Sequence, residues 1–207
     1  MLRLIVGFLP WIIFGVLANR WFLLSLALAL AISAFTTVRQ FRRHSLKILD
    51  TVTLLFFIFV AVGIVGFRWM VLGTYMTILV NLTLMAIAWG SLLAGVPFTL
   101  QYAREQVAPE FWHTPIFLRI NQCITAVWGL DFFLSALVSL YRHATGDRSL
   151  ASQYAWVLFS VGAVLFTVYF PDRYRARALR PPGSSAQSGA ESSGAEPGAG
   201  SGGGSAA

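Results

Sequence analysis

WMVLGTYMTILVNLTLMAIAWGSLLAGVPFTLQYA, residues Trp69–Ala103, runs for 35 residues without one charged side chain. About 20 apolar residues in a helix span the hydrocarbon core of a bilayer. Further charge-free runs flank it at Leu4–Asn19, Trp21–Val38, Thr51–Phe67 and Ser149–Pro171, and Ile120–Tyr141 carries a single charge, Asp131. The whole chain is 57% hydrophobic and 11% charged, against about 25% charged in a soluble domain. Backbone polar groups have no water to bond in lipid, so each run reads as a helix. The fold class is therefore all-α, a polytopic transmembrane helical bundle over residues 1–172.

Six helices are expected, or five if the first does not span. They are Leu4–Ala18, Trp21–Val38, Ile48–Phe67, a fourth from Trp69 to about Ala94, Ile120–Tyr141 and Leu150–Phe170. Gly95-Val96-Pro97 ends the fourth, because proline disfavours helical geometry in the residue before it. The first run resembles a secretory leader, with Arg3 before it and Val16-Leu17-Ala18 at its end. Pro10 and the return of hydrophobicity at Trp21 favour a membrane element instead. Two small-residue stripes recur every fourth position, Ser25/Ala29/Ser33/Thr37 and Ala86/Gly90/Ala94, and both predict close helix contact. Beyond Arg173–Arg180 the chain is rich in Ser, Gly and Ala, a composition that predicts disorder.

The net charge of +7 does not point to nucleic acid, because the cations sit at segment ends. Eleven Lys and Arg fall in the N-terminal, Arg39–Lys47, Arg104–Arg119 and Arg173–Arg180 segments, against four at Arg20, Arg68, Arg142 and Arg148. The positive-inside rule then places both termini in the cytoplasm of a cell inner membrane. Arg39, Arg42, Arg43 and Lys47 are expected to contact lipid headgroups, each such cation contributing about 1 kcal/mol. Lys47 and Asp50, three apart, are expected to pair locally, with Thr53 continuing their face.

Among intramembrane polar residues Asp131 stands out, since a carboxylate at helix centre costs about 2.5–3.5 kcal/mol on the insertion scale. Ser135 shares its face, Asn81 is its expected partner across an interface, and Asn121 opens the same helix. The Gln101–Arg119 segment, QYAREQVAPEFWHTPIFLR, mixes aromatic and charged residues and is expected to lie along the membrane surface. Tyr102, Arg104, Glu105, Glu110, Phe111, Trp112, His113 and Arg119 would there bind a partner or lipid. Glu110 and His113 have a Glu-x-x-His spacing, but the second copy that a di-metal site needs is missing. One cysteine, Cys123, leaves no intramolecular disulfide and no cysteine-based metal site. The sequence thus assigns no catalytic residue, metal or cofactor.

Phe8-Leu9-Pro10 near the N-terminus precedes a two-helix hairpin and a basic loop ending in Lys47. A near-charge-free helix pair follows, then a Trp-containing amphipathic segment running into Arg119-Ile120-Asn121. This order resembles the YciB family of bacterial inner-membrane proteins, also called intracellular septation protein A. The resemblance covers roughly residues 1–170 and implies a non-enzymatic role in cell-envelope biogenesis or septation. Its partners would be membrane lipids and membrane proteins, other copies of the chain among them. Two alternatives follow from the residues: a small transporter or proton-coupled channel using Asp131, and a lipid-modifying enzyme using Glu105, Glu110 and His113.

Overall fold

The computed structural model describes residues 2–147 and 149–178. All regular structure among them is helical: α1 (Leu2–Leu17), α2 (Phe22–Arg42), α3 (Ile48–Ala61), α4 (Met70–Thr74), α5 (Met76–Leu93), α6 (Phe98–Ala103), α7 (Pro115–Thr145) and α8 (Leu150–Ala178). Five of these segments are long and apolar enough to cross a membrane. The all-α expectation and the multi-pass reading both hold. At 16 residues α1 is the shorter sixth element. The Ser/Gly/Ala-rich tail from residue 179 onward lies outside the described residues.

The boundaries differ from expectation where local chemistry intervenes. The third helix ends in a π-helical turn, Val62–Gly66. The charge-free run divides at Tyr75 into α4 and α5, and left-handed Gly95 (φ 74°) closes the connection after α5. A separate helix, α6, follows Pro97, whose fixed φ suits an entry into a helix. Thr114 caps α7 by accepting from the Phe117 amide at 3.4 Å, with Pro115 at its first position. This start lies five residues before the one expected, and α7 reaches 31 residues.

Lipid tails are as apolar as leucine, so helices in a bilayer associate through packing and hydrogen bonds. Helix α1 shows both. Leu4, Phe8, Trp11 and Phe14 recur at helical spacing and are buried, while Ile5, Val6, Leu9, Ile12 and Val16 face outward. Trp11 packs against Phe56 and Phe57 at ring-centroid distances of 4.9 and 5.1 Å. Its indole N–H donates to Thr53 Oγ1 at 2.8 Å. Phe8 stacks on Trp128 of α7 at 5.0 Å. The first helix is thus an integral wall of the bundle.

The two small-residue stripes have different fates. On α2, Ser25, Ala29 and Ser33 are all buried, and their hydroxyls return to Phe22 and Leu30 carbonyls of the same helix. Thr37, the last member of the stripe, instead reaches across to α3 and donates to the Asp50 carbonyl at 3.3 Å. On α5, a side chain added at Gly90 would meet nothing within 4 Å. Ala86, Gly90 and Ala94 instead line an apolar groove of about 520 Å³, with Ile48 and Val52 on its far side. Close approach on α5 comes at another point, where Gly129 of α7 receives the Trp89 indole.

Helix α8 is the most outward of the spans. Leu158, Val161, Val164, Leu165 and Val168 are exposed, while Ala163 and Thr167 are buried. Trp128 donates its indole N–H to Thr167 Oγ1 at 3.1 Å, which fixes α8 against α7.

Ser33→Leu should destabilise the protein by about 1–3 kcal/mol through overpacking. Gly90→Leu should leave the stability of the single chain unchanged. Unfolding in detergent micelles, followed by loss of helical signal, measures both.

Candidate functional site

The polar residues that the sequence offers for function gather in three places, of which the first is the most heavily bonded. It lies where the end of α2, the start of α3 and α6 meet. Asp50, in the first turn of α3, is 3% exposed, and Tyr102 of α6 is 2% exposed. The Tyr102 hydroxyl donates to Asp50 Oδ2 at 2.7 Å. Gln40 Nε2, from α2, donates to the same oxygen. The other end of the Gln40 amide accepts from the Lys47 backbone N–H at 3.2 Å. Gln101 Oε1 accepts from the Ile48 N–H at 2.8 Å, so two of the free amides at the start of α3 are satisfied by side chains.

Lys47 joins the same cluster. It is 8% exposed, and its ammonium lies 2.9 Å from Glu105 Oε1 and 4.2 Å from the centre of the Tyr102 ring. The expected pair with Asp50 is therefore replaced by one with Glu105. Lys47 also does not reach toward headgroups; Arg39, Arg42 and Arg43 are the exposed cations of that loop. Gly7 of α1 closes the cluster from behind, since a Cβ there would come within 2.6 Å of the Tyr102 hydroxyl. Burial first, and then the Asp50 carboxylate beside it, hold the Tyr102 phenol far above its ordinary value. It stays a neutral donor across the physiological range.

The second place is the middle of α7. Asp131 is 4% exposed. Ser160 of α8 donates to its carboxylate, 3.3 Å from each oxygen. The expected partner, Asn81, bonds instead to the Thr77 carbonyl of its own helix at 2.9 Å. Ser135 is buried one turn along, where its carbonyl accepts from Ser139. Asn121 serves α6: its carbonyl accepts from Thr99, whose hydroxyl also meets Thr125 at 2.7 Å.

The third is residues 104–114. It is built from two short 3-10 turns, Arg104–Gln106 and Pro109–Phe111. Trp112 is half-buried, donates to the Val107 carbonyl at 2.9 Å and lies beneath the Arg104 guanidinium at 5.6 Å. Phe111 is 56% exposed. Glu110, His113 and Arg119 are exposed as well. The acid–base cluster expected of Glu105, Glu110 and His113 does not assemble, because Glu105 turns to Lys47 and the other two face outward. Among the described residues no group of three or more His, Cys, Asp or Glu could hold a metal.

No protein-family model matches the chain, and no curated protein or solved structure is significantly similar to it.

The Tyr102 phenol sets a pH limit. Its proton is held in the folded state and is lost in the unfolded chain above the ordinary value of 10. Unfolding therefore becomes easier above that pH, by about 1.4 kcal/mol per unit for this group. Tyr102→Phe should weaken the protein near neutrality by about 1–3 kcal/mol, since Asp50 loses a buried donor. It should also flatten the alkaline fall of the unfolding midpoint. A variant with the unchanged alkaline slope would place the titration elsewhere.

Proposed function

We propose that this protein acts by binding within the membrane and performs no catalysis. Its partner would be another membrane protein, docked at residues 104–114. The observation that carries this reading is the display of Phe111. The loop around it is braced by Trp112, by Arg104 and by the Thr114 hydroxyl, which donates to the Phe111 carbonyl at 2.8 Å. A large apolar side chain held out by a rigid loop is the usual form of an interface anchor. Glu110 and His113 flank it as a polar rim.

The resemblance to the YciB family supplies the process: cell-envelope biogenesis or septation in a bacterial inner membrane. The eleven-to-four bias of basic residues supports cytoplasmic termini, which puts Phe111 on the cytoplasmic side. The loop cations Arg39, Arg42 and Arg43 would hold that face against anionic lipid.

Phe111→Ala should abolish complementation of a deletion strain while membrane insertion and protein level stay normal. Trp112→Ala should also lower the stability of the loop, because it removes the brace. Full complementation by a well-expressed Phe111→Ala protein would exclude this anchor.

The buried Asp131 favours a second reading, a proton-coupled transporter. Asp131→Asn keeps the shape and the hydrogen bond to Ser160 but removes the charge. Under the binding reading this variant complements fully. Loss of complementation with normal insertion, together with loss of proton flux in proteoliposomes, would favour transport.

A further inference from the structure

A polar cavity of about 350 Å³ opens at the end of the bundle opposite Asp50, between the start of α5 and the end of α7. That volume is within the range of small-molecule sites. Its lining carries the hydroxyls of Thr74, Thr77 and Ser139, with the Arg142 guanidinium and the His143 imidazole beside them. Asp147, just past the α7 C-terminus at left-handed Gly146, shares this lining, near enough to Arg142 to feel its charge.

Two features mark the cavity as more than a gap. The Arg142 Nε is buried without a hydrogen-bond partner. A guanidinium N–H withdrawn from water is costly unless an acceptor reaches it. Asp147 is fixed by its own loop: Oδ1 accepts from the Ser149 amide and Oδ2 from the Ser149 hydroxyl, both at 2.9 Å. Those bonds, the backbone one foremost, hold its carboxyl below the usual range, so it is ionised at neutral pH. Each oxygen keeps lone pairs for a further donor. The helix dipole of α7 adds negative character here.

The cavity thus offers hydrogen-bond donors and a fixed anion within one lining. A simple anion would be repelled by Asp147, and a simple cation by Arg142. A small zwitterion meets both. Tyr75 and Tyr141 lie at the same end of the bundle, where aromatic side chains sit at headgroup level. Tyr75 also packs on the His143 ring at 4.4 Å, which fixes that wall.

We propose that this cavity binds the phosphoethanolamine headgroup of a bilayer lipid, with the phosphodiester on Arg142 and the three hydroxyls and the primary ammonium on Asp147. A trimethylammonium headgroup has no N–H to donate to Asp147, and a glycerol headgroup has no positive charge. The site should therefore prefer ethanolamine lipid over both.

The full chain in detergent is incubated with mixed lipids of matched acyl chains bearing ethanolamine, choline or glycerol headgroups. Retained lipid is counted by native mass spectrometry. The wild-type protein should retain the ethanolamine lipid about tenfold over the other two, the worth of one charge-assisted hydrogen bond. Arg142→Gln should lose that retention. Asp147→Asn should keep a bound phospholipid but erase the preference for ethanolamine. Thr77→Val, a change that preserves shape, should weaken retention of every headgroup alike. Equal retention of the three lipids by the wild-type protein overturns the proposal. So does Arg142→Gln that retains ethanolamine lipid unchanged. Displacement of the lipid by millimolar soluble phosphoethanolamine would also overturn it, by showing that the site takes the free zwitterion without needing a membrane anchor.

Discussion

A carboxylate withdrawn from water must be surrounded by donors, and Asp50 is where the bundle meets this demand. Tyr102 and Gln40 converge on one of its oxygens from helices on either side. Gln40 also accepts from the Lys47 amide, and Gln101 from the Ile48 amide, so two glutamines cap the start of α3. One buried charge thereby fixes the ends of α2, α3 and α6 relative to each other. The small surfaces around it follow as requirements. Gly7 must lack a side chain for Tyr102 to stand where it does. Lys47 can leave the headgroup layer because Glu105 and the Tyr102 ring receive its charge.

The apolar remainder is organised by a different rule. Without a hydrophobic force between helices, contact depends on fit and on the few polar side chains that reach across. Ser25, Ala29 and Ser33 let α2 approach closely and hide their hydroxyls in their own helix. Trp11 and Trp128 each add one directed bond, to Thr53 and Thr167. Helix α8 keeps most of its surface for lipid, and its Ser160 and Thr167 bond to α7.

The fold class was legible because bilayer thickness imposes a length on every apolar run. The end of α5 was legible for a local reason, the Gly95–Pro97 signal. Partnerships were harder. Lys47 and Asp50 stand three residues apart, and spacing alone suggests a local pair. What decides against it is Glu105, 58 residues beyond Lys47, and no periodicity carries that information. Asp131 was legible as an outlier, but its partner was not, because Asn81 and Ser160 are equally good donors until the helices are placed. The two small-residue stripes look alike as sequence. They differ in the neighbours that the tertiary structure gives them, which is why the α5 stripe faces an open groove. The cavity at Arg142 and Asp147 has no signature in the sequence, because charges at a helix end and in the loop beyond it are ordinary.

The separation of Asp50 from its two donors also bears on how the chain is made. Gln40 precedes Asp50 by ten residues, whereas Tyr102 follows it by 52. During synthesis the carboxylate emerges with one donor already present in the α2–α3 hairpin. The second arrives only after α4 and α5 have been threaded and the chain has turned at Pro97. Gln40 is therefore the donor within reach of Asp50 while only the α2–α3 hairpin has been made. Within that hairpin the anion already has a donor, and Tyr102 can complete the cluster only once α6 has been made.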